Sequence, residues 1–306
     1  MKFFLLKCFS YFLGRLPNRA LLVAGDVLGF FWFYLVPFRR KVVLENLTLA
    51  YGDSKTLKEI ERLAARNFRH YGRALFESVR SVCWTLDDYR REVTFVGLDY
   101  LKAYVREKRG VFVLSFHMGA WELSPGSAAA HGLPIDVVTK ISPNKNASEL
   151  LNWFRQRLGI EVIPASRSKQ LIVDAIGRGR FIGFMLDQFM GPPVGVPVKF
   201  FGKTAGTTVS LALLSEQHSV PILIGFTHRD KKGRLQTVAE PIDFPKFSDD
   251  FTTRLWEKTQ FLNDCIEAKV RQFPEQWMWL HRRWKPFVGT PKWQKSPATV
   301  SENPLT

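Results

Sequence analysis

The stretch VFVLSFHMGAWE, residues 111–122, decides how this chain folds. Val111 to Phe116 is a short, unbroken apolar run, the pattern of a strand buried on both faces of a sheet. His117, Met118 and Gly119 then break the run, and Ala120-Trp121-Glu122 leads into a helical pattern. In an open α/β sheet, the loop after the C-terminal end of a strand is where ligands bind. A neutral imidazole there can take a proton near neutral pH, because its ordinary pKa is about 6.5. A carboxylate can hold the other ring nitrogen and stabilise the imidazolium that forms. His117 and Glu122 are therefore the candidate base and its partner for activating a hydroxyl. The alternative is an incidental polar pair on a surface loop. Gly119 allows backbone N–H groups to approach a ligand closely, beside a helix start that favours negative charge.

Outward from this stretch the α/β pattern continues. Strands are expected at 111–116, 135–139, 160–163, 181–186 and 220–227. Helices are expected between them, at 98–108, 122–130, 146–158, 168–178 and 206–217, with a last one at 252–273. This alternation predicts an α/β fold: a mixed, largely parallel central sheet flanked by helices. A long helical pattern over 55–81 precedes it, with Ser54 as N-cap and Arg62, Arg66, Arg69 and Arg73 along one face. That face is either simply solvated or touches anionic headgroups. The strand at 181–186 ends in Asp187-Gln188, which parallel strands would bring to the same sheet edge as His117. Asp187 could equally be a turn or cap residue.

Residues 20–38, ALLVAGDVLGFFWFYLVPF, carry one charge, Asp26, and are followed by Arg39-Arg40-Lys41. The stretch is long enough to cross a hydrocarbon core. It could also lie along the interface with its aromatic residues in lipid, or be a buried helix. The reading adopted is an N-terminal membrane-anchoring helix within 1–41. The chain of 306 residues has 44 Lys and Arg against 28 Asp and Glu, a net charge of +16. Such an excess calls for an anionic partner, and 14% aromatic content favours a membrane surface over nucleic acid. No RNA-binding signature, zinc finger or basic zipper occurs. Neither does a Walker A, G-x-G-x-x-G, H-E-x-x-H or G-x-S-x-G motif. Cys8, Cys83 and Cys265 are far apart and form no metal or disulfide pattern, which fits a reducing compartment.

A third element, Pro274 to Lys285 (PEQWMWLHRRWK), interleaves aromatic and basic residues. It reads as an interface anchor, an anion-binding patch or helix-end packing. Together with Ser115 to Glu122, Asp187-Gln188, Phe200-Phe201-Gly202 and Glu45-Asn46-Leu47, it resembles the lipid A late acyltransferase family, the lauroyl/myristoyl acyltransferases of Gram-negative bacteria. The resemblance runs over about residues 1–288. Two places depart from it: Ala120 stands where many members carry Asn, and Phe189-Met190-Gly191-Pro192-Pro193 replaces an acidic stretch. The Phe-Pro-Glu-Gly-Thr-type motif of glycerophospholipid acyltransferases is missing.

The resemblance implies an acyltransferase domain over 42–288; the residues after it, rich in Pro, Lys and Ser, read as a flexible tail over 289–306. It implies an O-acyltransferase that moves a fatty acyl chain from acyl carrier protein to a hydroxyl of a lipid A precursor. His117 and Glu122 would be catalytic. Gly119, Arg167, Asp187, Gln188, Arg282 and Arg283 would contact substrate, with no metal and no cofactor. The partners would be acyl carrier protein, an anionic lipid acceptor and the inner membrane, not nucleic acid, with the catalytic domain on the cytoplasmic side. The alternatives are an acyltransferase for a lysophospholipid or aminolipid, and a non-catalytic basic protein that binds membrane or nucleic acid.

Overall fold

A computed structural model of the chain describes residues 2–36, 38–139, 145–165 and 168–289. Four helices come first: α1 (Lys2–Gly14), α2 (Asn18–Tyr34), α3 (Arg40–Tyr51) and α4 (Leu57–Ser81). The α/β body follows as α5 (Leu86–Glu92), β1 (Val93–Val96), α6 (Leu98–Arg106), β2 (Val111–Ser115), α7 (Leu123–Ala130), β3 (Ile135–Thr139), α8 (Lys145–Arg157), β4 (Val162–Pro164), α9 (Ser168–Gly177) and β5 (Phe181–Met185). It ends with β6 (Gly195–Phe200), β7 (Lys203–Thr208), α10 (Ser210–His218), β8 (Ile222–Arg229), β9 (Leu235–Pro241) and α11 (Phe251–Gln272).

Seven strands form one sheet in the order β1-β9-β8-β2-β5-β3-β4. The strands from β8 to β4 run parallel, while β9 runs against β8 and carries β1 parallel to itself. The expected mixed, largely parallel sheet is therefore present, and β2 lies at its centre. Alternation along β2 sends Phe112 and Leu114 to one core, under α4, α9, α10 and α11. Val111 goes to the other, with α5 to α8. A separate antiparallel hairpin, β6–β7, projects from the sheet after Asp187. It was not expected: the sequence suggests a helix from 206, but Gly206-Thr207-Thr208 finish β7 and α10 begins at Ser210. Thr56 rather than Ser54 caps α4, in a reciprocal capping box with Glu59.

The membrane-spanning reading of 20–38 is corrected. No helix among the described residues is long and apolar enough to cross a membrane. The 17-residue α2 packs lengthwise on α4 instead. Gly25, Gly29 and Gly72 let the two backbones touch: a Cβ on Gly72 would lie 1.9 Å from the Gly25 carbonyl oxygen. The charge that weakened the spanning pattern, Asp26, sits in this contact. Arg73 donates to it from Nε at 2.6 Å, and Arg69 reaches it at 3.3 Å. Burial works to raise the Asp26 pKa, but hydrogen bonds and charge from the two arginines outweigh it and hold it below the usual value.

Candidate active site

The register of the two central strands builds the site. Ser115 of β2 lies opposite Met185 of β5, so two residues further on His117 faces Asp187. The Asp187 Oδ1 atom accepts from His117 Nδ1 at 2.9 Å, and its Oδ2 accepts from the His117 backbone N–H at 2.9 Å. A third donor, Trp277 Nε1, reaches Oδ2 at 2.8 Å. The carboxylate is fully used and buried. With Nδ1 bonded to a carboxylate, the proton sits there and Nε2 keeps its lone pair. Gln188 places its side-chain nitrogen 3.4 Å from that Nε2.

The two groups tune one another. Burial alone would lower the His117 pKa; the charge and hydrogen bond of Asp187 outweigh it, Glu122 adds to the effect, and the result is a raised value. Burial alone would raise the Asp187 pKa; the imidazole's charge and the three hydrogen bonds outweigh it and hold it low.

The role expected of Glu122, holding the second imidazole nitrogen, is filled by Asp187. Glu122 stands at the start of α7 and pairs with Arg155 of α8 at 3.0 Å. Both line a narrow cavity of about 160 Å³ between α7 and the sheet. His117 lies at its polar end with Ser115 and Trp121. Its inner part is apolar, built by Leu101, Val113, Ala128, Ile135, Phe181 and Leu223. Gly183 of β5 leaves room in this wall, since a Cβ there would meet nothing nearer than 3.6 Å. On its other side His117 borders an open groove of about 700 Å³, with Gln188, Phe189 and Met190 among its lining.

The C-terminal segment completes the loop around His117. Gly119 N–H donates to the Gln276 carbonyl at 2.9 Å, and Met278 N–H donates to the His117 carbonyl at 3.0 Å. Asn67 of α4 binds the carbonyls of Glu275 and Trp277 at 2.8 and 2.9 Å, and Asn46 of α3 binds those of Trp279 and His281 at 2.7 Å each. Gly119 adopts φ +60°, and a Cβ there would lie 2.2 Å from the Thr227 carbonyl oxygen, so the loop needs glycine to cross β8. Its own N–H is already spent on the Gln276 carbonyl.

The remaining candidates divide. Asp187 and Gln188 are brought to His117, where Asp187 acts on the imidazole rather than on a ligand. Arg283 is fully buried and donates to the Gly206 carbonyl, the Thr207 hydroxyl and the Asn263 side-chain oxygen, so it ties β7 to α11 and does not face an anion. Burial pushes its guanidinium down to about 10. Arg282 is exposed. Arg167 lies outside the described residues. Arg155 and Trp277 were not singled out alone for the site. Nothing in local spacing marks Arg155, while Trp277 belongs to the segment that the family resemblance had already picked out.

Residues 1–286 match the family described as bacterial lipid A biosynthesis acyltransferase. The chain belongs to that family. Among its relatives is the lipid A biosynthesis lauroyltransferase of Escherichia coli (strain K12), 26% identical over 276 residues, 89% of this chain and 87% of the relative. The lipid A biosynthesis palmitoleoyltransferase of the same strain is 26% identical over 278 residues, with the same two shares. A lipid A biosynthesis acyltransferase of Haemophilus influenzae is 27% identical over 280 residues, 88% of this chain and 86% of the relative. The expected family is thus the one found.

Proposed function

We propose that the protein transfers a fatty acyl chain from the thioester of acyl carrier protein to a hydroxyl of a lipid A precursor. The observation that carries this reading is His117, its Nδ1 held by Asp187, at the junction of a narrow apolar cavity and an open groove. The acyl chain enters the narrow cavity, and the acceptor hydroxyl approaches from the groove. His117 Nε2 removes the hydroxyl proton as the oxygen attacks the thioester carbonyl. The tetrahedral intermediate collapses to the ester, and the imidazolium returns the proton to the departing thiolate. Asp187 stabilises the imidazolium. Among the described residues lining this cavity, Arg155 is the side chain other than the imidazole that can bring positive charge to the oxyanion, and Glu122 positions it.

Membrane association is part of the proposal. Phe4, Phe9, Phe12, Phe30 and Phe31 of the N-terminal helices, and Phe38 in the turn before α3, are each 48% to 66% exposed. Such a face suits a helix pair lying in the interface of the inner membrane, with the catalytic body on the cytoplasmic side. The net charge of +16 suits an acceptor with several negative charges and an acidic carrier protein.

Purified full-length protein, given acyl carrier protein thioester and a Kdo-bearing lipid A precursor, should form the acylated product by mass spectrometry. His117→Ala should reduce the rate at least about a hundredfold and leave the fold intact. Transfer to lysophosphatidic acid or a lyso-aminolipid, with the precursor untouched, would replace this acceptor by one of the alternatives.

A further inference from the structure

A second polar cleft, of about 490 Å³, shares none of its lining residues with the cavity or the groove at His117. It lies where α2, α4, the β8–β9 turn and the segment after α11 meet. Its charges can be counted. Arg69 and Arg73 share the single carboxylate of Asp26, which leaves one positive charge. Arg229 is paired with the buried Glu77, and Asp230 with Arg234, so these cancel. Arg66 and Lys231 are exposed and have no ion pair among the described residues; Glu275 is the one opposing carboxylate. The cleft therefore carries a net charge of about +2.

An independent observation marks it as a site. His70 lines the cleft, is only 7% exposed, and its Nε2 atom has no hydrogen-bond partner. Buried polar atoms are nearly always satisfied, and beyond the hydrogen bond of the ring with the Gly119 backbone this nitrogen, on a residue that lines the cleft, has no partner. Burial, with the charges of Arg229 and Arg73 adding, pushes the imidazole down to about 3, so it is neutral at physiological pH. A neutral ring nitrogen can share a proton with a phosphate oxygen, while the cations supply the charge.

The position of the cleft selects its occupant. Asp26 at its wall is three and four residues from Val23 and Phe30 along α2, and so on the same helix face. Val23 is 61% exposed and Phe30 is 51% exposed. A phosphate in the cleft would have apolar surface running away from it. We propose that this cleft binds the phosphate of an anionic membrane lipid, at a site separate from the acyl-transfer centre. It stands whichever lipid accepts the acyl chain.

Full-length protein should be tested in flotation with phosphatidylcholine vesicles containing phosphatidylglycerol. Arg66→Glu with Lys231→Glu should weaken binding about tenfold or more, given roughly 1 kcal/mol per basic residue at an anionic surface. Lys102→Glu with Arg106→Glu, an equal charge change outside the cleft, should weaken it far less. Equal losses from the two pairs would show diffuse attraction and overturn the site. Soluble glycerol phosphate should compete only at concentrations well above those of vesicle lipid phosphate. If it competes as well as vesicle lipid, the occupant is a free phosphate and the lipid assignment falls.

Discussion

The first two helices and the segment after α11 are both aromatic and basic, and have opposite fates. Residues 2–38 and residues 274–285 are both rich in Phe or Trp and flanked by Arg and Lys. In the first, six phenylalanines stand out in solvent; in the second, Trp277 and Trp279 are almost completely buried. The difference lies in the polar groups. Every tryptophan nitrogen of the C-terminal segment has an acceptor: Trp277 on Asp187, Trp279 on the Pro274 carbonyl, Trp284 on the Phe200 carbonyl. Its carbonyls have Asn46 and Asn67. A segment so satisfied can leave water at little cost. The N-terminal helices bury Leu21, Phe33 and a glycine-lined seam against α4, while those six phenylalanines are left exposed by the described residues.

Breaking the buried end should cost most. Asp187→Asn leaves the imidazole without its counter-charge and is expected to lower turnover by about a thousandfold or more. The pH profile checks the cause. Asp187 raises the His117 pKa, and the base must be neutral, so the wild-type rate falls on the acid side at a pH above the usual imidazole range. Losing the carboxylate lowers that pKa, and the acid limb should move to lower pH. An unmoved limb would mean that the limb reports another group.

Arg283→Ala should destabilise the tie between this segment, β7 and α11. It strands buried acceptors on Gly206, Thr207 and Asn263, at about 3 kcal/mol in chemical denaturation. Retention of wild-type stability would show that water replaces the guanidinium. Trp277→Phe keeps the ring packing and removes one hydrogen bond to a buried carboxylate. It should cost about 1.5–3 kcal/mol, with a fall in rate of about tenfold.

The exposed end should respond in the reverse sense. Phe30→Ser with Phe31→Ser is expected to change stability by no more than about 0.5 kcal/mol, as for surface positions. It should nevertheless weaken binding to vesicles. A large loss of stability, with vesicle binding unchanged, would show that these rings are packed in solution and erase the contrast.

Five of the seven sheet strands were legible as short apolar runs: 135–139 is found as β3, and 111–116 becomes β2 with one residue fewer, whereas β1 and β9 were not expected. The hairpin β6–β7 was hidden, since Pro197 and Lys199 interrupt the apolar pattern of its first strand. His117 was legible from its place after β2. Its partner was not. A carboxylate five residues away and one seventy residues away are both plausible, and only the pairing of Ser115 with Met185 brings Asp187 opposite. The same limit applies to the arginines: nothing in Arg282-Arg283 says which guanidinium turns inward.

One bond pattern bears on when this protein becomes active. The His117 loop takes its backbone partners from Gln276 and Met278, some 160 residues later in the chain. A chain still on the ribosome can form β2 and even lay β5 beside it, yet Asp187 lacks its indole donor until Trp277 has emerged. Synthesis proceeds from the N-terminus, so the aromatic helices are available to a bilayer well before the catalytic loop is braced. The site is therefore finished after the surface proposed to meet lipid is already made.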